Sequence, residues 1–244
     1  MANDLGDYKK GTDITGNRKG PTRALQSGYI SIRQMKKAVI FNTIWIVIIG
    51  SMLVFYSAEF IGWKSIIIML IIGIFCILAA IFYTLGKHSY GYKGWGDFFA
   101  FLFFGPVPVI GTYFLHVHSI DFHPVFPAIG VGLISTMILN INNMRDIDND
   151  LASGKITIAG KLGLKNAKIY HFFLTCIMCL CFVCYSIMYA STPWYRFLYV
   201  LVFLFPFILL IDIWHKSGRD LDPYLKYTSL FSLFLVIAFS LFIN

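Results

Sequence analysis

The sequence predicts an all-α, polytopic membrane protein with seven helical spans, and three observations carry that prediction. First, 58% of the 244 residues are hydrophobic and only 13% are charged, about half the charged share of a soluble domain. Second, at about 20 apolar residues per crossing, seven crossings use roughly 140 residues, close to the apolar share. Third, the apolar residues come in long runs that do not alternate with polar ones, as in SIIIMLIIGIFCILAAIF, which excludes the alternating strands of a membrane β-barrel. Helices are the remaining way to satisfy the backbone in lipid.

The runs free of Asp, Glu, Lys and Arg are, in order, Ala38–Ser57, Ser65–Leu85, Phe98–Leu115, Val125–Ile141, Ile169–Ala190, Phe197–Ile211 and Thr228–Ile243. The 37 residues before the first are polar, so no signal peptide is expected. In the third run Gly105, Pro106, Pro108 and Gly111 interrupt the helix, and Gly130 and Gly132 thin the fourth, a pattern compatible with a tunnel but common in membrane helices. The fifth carries Cys176, Cys179, Cys181 and Cys184, expected as free thiols rather than a disulfide framework.

Seven spans make the connecting segments alternate sides, and the net charge of +8 is then strongly one-sided. The N-terminal segment, Gly86–Asp97, Asn142–Lys168 and Trp214–Tyr227 hold 18 of the 20 Lys and Arg, leaving Lys64 and Arg196 opposite. The basic side is therefore expected to be cytoplasmic, with the N-terminus inside and the C-terminus outside the cell membrane. Ten of the twelve acids share that side, which the positive-inside rule does not explain. His116, His118 and His123 fall on the other side, where a short interfacial loop accounts for them.

Two acidic segments are the chemical candidates. In ANDLGDYKKGTD, Asn3 and Asp7 are four apart and share a helix face, with Gly11 and Asp13 following. In NNMRDIDNDLASGKIT, Asn142, Asp146 and Asp150 run at i, i+4 and i+8 and Gly154 comes next. Both contain Asn-x3-Asp and Asp-x3-Gly, an internal echo of a helix end that presents carboxylates and then breaks at glycine. Hard oxygen ligands of this kind suit Mg²⁺, which is held by one or two carboxylates together with substrate phosphates. Arg145 and Lys155 lie nearby to meet phosphate, one as a fork and one as a point charge. A solvated, ordinary charged loop is the alternative for either segment alone. An EF-hand fails because Leu151 and Thr157 occupy its glycine and glutamate positions. A P-loop is absent.

With their flanks, these segments resemble the UbiA-type intramembrane prenyltransferases. NNMRDIDNDLASGKITIAGKLG resembles the family's second aspartate-rich motif. NDLGDYKKGTD, GPTRALQSG, YTLG followed by YGYKGWGD, and LNINNMRDIDND together resemble its 1,4-dihydroxy-2-naphthoate branch. Gly11 replaces the final Asp of the broader DxxxD motif, with Asp13 two places later, which fits that branch. Ser89 stands where related enzymes often have Pro.

The resemblance implies one prenyltransferase domain over 1–244 that lacks the first two of the family's nine helices. It places Asn3, Asp4, Asp7 and Asp13 in the first metal-diphosphate motif, and Asn143, Arg145, Asp146 and Asp150 in the second, with Asn142 and Lys155 beside them. Arg23 comes with GPTRALQSG, and Tyr83, Tyr92 and Asp97 match a connecting loop between two spans. The implied metal ligands are Asp7, Asp13, Asp146 and Asp150, holding Mg²⁺, with Arg145 beside them at the catalytic centre. The implied partners are a polyprenyl diphosphate, an aromatic acceptor and the bilayer, without nucleic acid or a protein partner. The implied reaction is prenyl transfer onto 1,4-dihydroxy-2-naphthoate, with loss of diphosphate and CO₂, in menaquinone biosynthesis. The alternatives are an inactive fragment of such an enzyme and a seven-helix transporter, the latter disfavoured because no Asp, Glu, Lys or Arg lies within a run.

Overall fold

In the computed structural model, residues 1–16, 19–86, 89–189 and 194–243 are described, without the side chain of Arg196. Arg18, Lys87 and the Arg196 side chain, all counted in the charge asymmetry, thus lie outside the described residues. The elements are α1 (Ala2–Lys9), α2 (Ile32–Tyr56), α3 (Ala58–Phe82), α4 (Gly96–Phe104), α5 (Pro106–Val117), α6 (Val125–Arg145), α7 (Ile147–Ala152), α8 (Ile158–Tyr189), α9 (Leu204–Trp214) and α10 (Asp222–Ile243). Short 3₁₀ helices cover Tyr90–Tyr92, Trp194–Phe203 and Gly218–Leu221. No strand occurs among the described residues.

Among the described residues seven helical segments are long and apolar enough to cross a membrane: Ile32–Tyr56, Ala58–Phe82, Gly96–Val117, Val125–Arg145, Ile158–Tyr189, Phe197–Trp214 and Gly218–Ile243. The all-α, polytopic class and the seven spans are as the sequence predicts. Most helices run beyond the apolar stretches, because a charge stops an apolar run but not a hydrogen-bonded helix. Helix α2 begins at Ile32, six residues early, since Ser31 and Gln34 form a capping box. Gln34 N–H donates to Ser31 Oγ at 3.3 Å and Ser31 N–H to Gln34 Oε1 at 2.8 Å, satisfying two orphan donors at once. Helix α8 starts at Ile158 and bends at Gly163, whose φ of 74° leaves the helical region.

The chain divides into two compact units. Unit 1 comprises Met1–Gly96, Gly111–Ile120 and Asp148–Thr157; unit 2 comprises Asp97–Ile110, Asp121–Ile147 and Ile158–Asn244. In unit 1 a small core of Leu5, Leu25 and Met35 seats α1. Gly6 lies so close to Thr84 that an added Cβ would fall 2.3 Å from its Oγ1. Helices α2 and α3 bury only Met35, Val54 and Ile66, so their remaining apolar surface suits lipid.

Unit 2 is held by two apolar clusters. One joins Ile141 and Met144 of α6 to Ala159 and Ala167 of α8, Leu209 and Ile213 of α9, and Leu221 and Tyr224. The other joins Ile134, Met178, Phe182, Tyr199, Phe203, Phe231 and Leu235. Tyr199 sits fully buried because its hydroxyl donates to Phe182 O at 2.9 Å and meets Ser186 Oγ at 2.7 Å, which removes the penalty of an unpaired phenol. Three glycines of the third and fourth spans sit in close packing. A Cβ on Gly105 would lie 2.4 Å from Gly132 Cα, one on Gly132 2.7 Å from Phe101 O, and one on Gly130 2.5 Å from Phe182 Cε2. Small residues let membrane helices approach this closely.

Candidate active site

The two acidic segments end their helices in the same way. After α1, Thr12 N–H donates to Asp7 O at 3.0 Å; after α7, Lys155 N–H donates to Asp150 O at 2.8 Å. Each closure spans five residues around a glycine of positive φ, 84° at Gly11 and 70° at Gly154, the Schellman arrangement in which only glycine is unstrained. The echo seen in the sequence is therefore a shared backbone device that leaves an aspartate at the end of each helix.

Unit 1 brings these ends together. Asn149 Nδ2 donates to Thr12 O at 3.1 Å and its Oδ1 accepts from Thr15. Ile156 N–H donates to Tyr92 O at 3.1 Å, a bridge that ties the Tyr90–Tyr92 turn to the second segment. Tyr92 then occupies the centre. Its hydroxyl donates to Asp7 Oδ1 at 2.8 Å and bonds Thr12 Oγ1, while Lys10 Nζ stands 3.9 Å and Lys155 Nζ 5.9 Å from the ring centroid. Arg23 Nη1 donates to Asp7 Oδ2 at 2.6 Å and Asp13 Oδ2 at 3.2 Å, and Lys155 pairs with Asp150 Oδ1 at 3.2 Å. Three buried carboxylates, Asp7, Asp13 and Asp150, thus share one unit with Arg23, Lys10 and Lys155.

These neighbours set the charges. Burial alone would lower Arg23, but Asp7, then Asp13 and Asp4, raise it, so it stays a cation. Burial and then Asp7 push the Tyr92 phenol up beyond its usual range, so it remains a neutral donor to that carboxylate. Lys10 is lowered by burial, against the pull of Asp7, and donates to Ser89 Oγ. Asn3 Oδ1 and Asp4 Oδ1 are buried with no hydrogen-bond partner among the described residues. Such orphaned oxygens are costly unless something electropositive meets them, and hard oxygen donors suit a magnesium-like cation. Among the described residues no three His, Cys, Asp or Glu side chains converge into a site that closes on protein ligands alone.

The second segment departs from its expected form. Asn142, Asp146 and Asp150 do not ride one continuous helix: α6 ends at Arg145, Asp146 is its C-cap with φ −103° and ψ 16°, and Asp150 belongs to α7. Nor is the Arg145 fork free for phosphate. Its Nε and Nη2 grip Asp146 at 3.1 and 2.6 Å, Nη2 also reaches Asn142 Oδ1 at 2.8 Å, and Nη1 bonds Asp222 of α10. Arg145 is 4% exposed, so these partners are what allow it to remain charged there. Asn143 is buried alongside.

Asp97 also differs from expectation. It is the second residue of α4, not a loop residue, and is buried in unit 2. The Tyr170 hydroxyl bonds one of its oxygens, while Oδ2 has no hydrogen-bond partner among the described residues. Tyr83 supports the turn: its carbonyl accepts Gly91 N–H at 2.9 Å and its ring meets Tyr90 edge-on at 5.4 Å. On the other side of the sequence's charge divide, His123 pairs with Asp121 at 3.0 Å, His116 Nδ1 lies 2.8 Å from Thr112 O, and His118 stacks on Phe60. All five cysteines are free thiols.

Helical membrane spans with paired aspartate-bearing helix ends and a ring of cations define an intramembrane enzyme class that handles a diphosphate. The chain belongs to the UbiA prenyltransferase family, whose profile matches residues 1–236. It is 39% identical to a 1,4-dihydroxy-2-naphthoate octaprenyltransferase of Haemophilus influenzae, over 99% of this chain and 77% of that protein. It is 36% identical to a protein of the same name from Escherichia coli, over 91% of this chain and 70% of that one. A human protein named UbiA prenyltransferase domain-containing protein 1 is 33% identical over 35% of this chain and 25% of its own length. No solved structure matches. Membership of this family sets the transporter reading aside.

Proposed function

We propose that this protein transfers a polyprenyl group from polyprenyl diphosphate to 1,4-dihydroxy-2-naphthoate, in menaquinone biosynthesis. The observation that carries the proposal is the unit 1 cluster, in which Asp7, Asp13 and Asp150 lie among Arg23, Lys10 and Lys155. The similarity to two naphthoate octaprenyltransferases over most of the chain supports the acceptor.

Asp7, beside the orphaned oxygens of Asn3 and Asp4, would offer one or two carboxylates to Mg²⁺ shared with the substrate phosphates, and Asp13, Asp150 and Asp146 are the remaining aspartates of the set the family resemblance suggests. When bound, the ion draws charge off the departing diphosphate. Arg23 and Lys10 supply fixed positive charge for the same oxygens, the electrostatic stabilisation of developing charge that dominates many such reactions. Tyr92 holds Asp7 in place from the side away from Arg23, and the closures at Thr12 and Lys155 fix the two helix ends. The allylic C–O bond breaks with its electron pair going to diphosphate. A ring carbon of the naphthoate attacks the allylic carbon, the new C–C bond forms, and the carboxylate leaves as CO₂, returning its bonding pair to the ring. No oxidant is needed. The low-dielectric helices suit the apolar tail, while the basic segments suit the diphosphate and support a site at the cytoplasmic face of the cell membrane.

The test uses membranes carrying this chain with radiolabelled polyprenyl diphosphate. Lipid-soluble product is expected with dihydroxynaphthoate and Mg²⁺, and is expected to vanish with EDTA and return with added Mg²⁺. Equal product when 4-hydroxybenzoate replaces the naphthoate would overturn the acceptor assignment. Full activity in EDTA would overturn the metal.

A further inference from the structure

Unit 2 contains a groove of about 520 Å³ between α8 and α9 that the proposed reaction does not use. Phe172, Phe207, Leu210 and Ile211 wall it, and Lys168, Trp214 and His215 close one end. Lys168 is the informative residue. It is 8% exposed, yet no carboxylate lies within ion-pair distance among the described residues. Among the described residues its ammonium donates to two neutral carbonyls, Trp214 O at 2.8 Å and Lys216 O at 2.7 Å, at the C-terminal end of α9. Those bonds favour a cation at a helix C-terminus, but they occupy two of three donors and leave a buried positive charge without a counter-ion. Buried charges are normally paired. Asp212, the acid of α9 itself, is engaged by Tyr224 and by Lys216 at 3.7 Å.

We infer that this groove binds an anionic phospholipid of the surrounding membrane, with one acyl chain along the apolar wall and the head-group phosphate on Lys168. Three features converge. The walls are apolar and partly open, with Phe172 and Ile211 well exposed, as a chain leaving bulk lipid requires. Trp214 stands at the mouth, where aromatic rings favour the head-group level. A basic pocket between membrane helices on the positively charged side is the setting in which anionic head groups are recognised. Charge-assisted bonds from ammonium to phosphate are about twice as strong as neutral ones, so the head group, not the tail, sets selectivity.

The test measures thermal stabilisation of the purified full chain in detergent on titration with phosphatidylglycerol or with phosphatidylcholine of identical acyl chains. Phosphatidylglycerol is expected to raise the unfolding midpoint saturably, and phosphatidylcholine is not. Two variants locate the effect. Lys168→Gln, which keeps a donor for the α9 carbonyls, is expected to weaken the phosphatidylglycerol midpoint concentration at least about tenfold, a difference of about 1.4 kcal/mol. Leu210→Trp, which fills the groove and leaves Lys168 untouched, is expected to weaken it similarly. Should Lys168→Gln fold poorly, Leu210→Trp alone decides the site. Equal stabilisation by the two lipids, or unchanged phosphatidylglycerol binding in Leu210→Trp, would overturn the inference. Stabilisation by geranylgeranyl diphosphate but not phosphatidylglycerol would also overturn it, assigning the groove to a prenyl diphosphate. Stabilisation by tail-free glycerol phosphate at equal concentration would show a free-anion site and exclude the lipid.

Discussion

Asp7→Asn is expected to lower the rate of prenyl transfer per folded protein by about 10²–10³-fold, the scale on which removal of one preorganised electrostatic contact acts. The side chain keeps its shape and one carbonyl oxygen, so it can still accept from Tyr92 or Arg23, whose bonds to Asp7 are 2.8 and 2.6 Å. What it loses is the charge that would hold the metal and balance Arg23. The folded fraction, followed by thermal unfolding in detergent, is expected to change little by comparison. The loss of a charged hydrogen-bond partner in a site 2% exposed costs about 1–3 kcal/mol. Turnover measured on the folded fraction and matching the parent would show that Asp7 is a structural counter-ion to Arg23 and no part of the chemistry.

The second large effect is on stability. Arg145→Met is expected to destabilise the protein by about 3 kcal/mol, because it leaves the buried Asp146 carboxylate without the cation that grips both of its oxygens. Breaking a buried pair from one side strands the other charge. Asp222→Asn, by contrast, is expected to cost under about 1 kcal/mol. The Asp222 side chain is 45% exposed, and water screens its share of the interaction. Denaturant unfolding of both variants in the same detergent distinguishes them. Similar small losses would mean that Arg145 reaches solvent and that its three-way grip is not what anchors the end of α6.

The contrast between these residues shows what a sequence can disclose. The seven spans were legible because each is a single uninterrupted apolar run, and lipid leaves a helix as the only open form. Their ends were not, because Ser31 and Gln34 start a helix by capping, within a polar stretch that a count of apolar residues passes over. The paired glycines were legible as an echo, and the Schellman closures at Gly11 and Gly154 gave that echo a physical meaning. The break at Asp146 was missed: spacing by four is compatible with one helix, and nothing in NNMRDIDND marks where its hydrogen bonding stops. Partners far apart in sequence were equally invisible. Tyr92 reaches Asp7 across 85 positions, Asn149 reaches Thr12 across 137, and Asp222 reaches Arg145 across 77. Asn149 lies inside the second motif and could have been singled out, as could Lys10 inside the first. Tyr170, a phenol in an apolar helix, carried no signal until its hydroxyl was seen on Asp97.

The carboxylates and cations gathered in unit 1 are expected to serve a decarboxylating prenyl transfer. The most direct measurement supplies dihydroxynaphthoate labelled in its carboxyl group, together with prenyl-labelled polyprenyl diphosphate, and counts CO₂ released against prenyl label recovered in lipid product. One CO₂ is expected per prenyl group transferred, both dependent on Mg²⁺. Prenyl label entering product while the carboxyl label stays in place, or diphosphate released with no prenylated product, would contradict it.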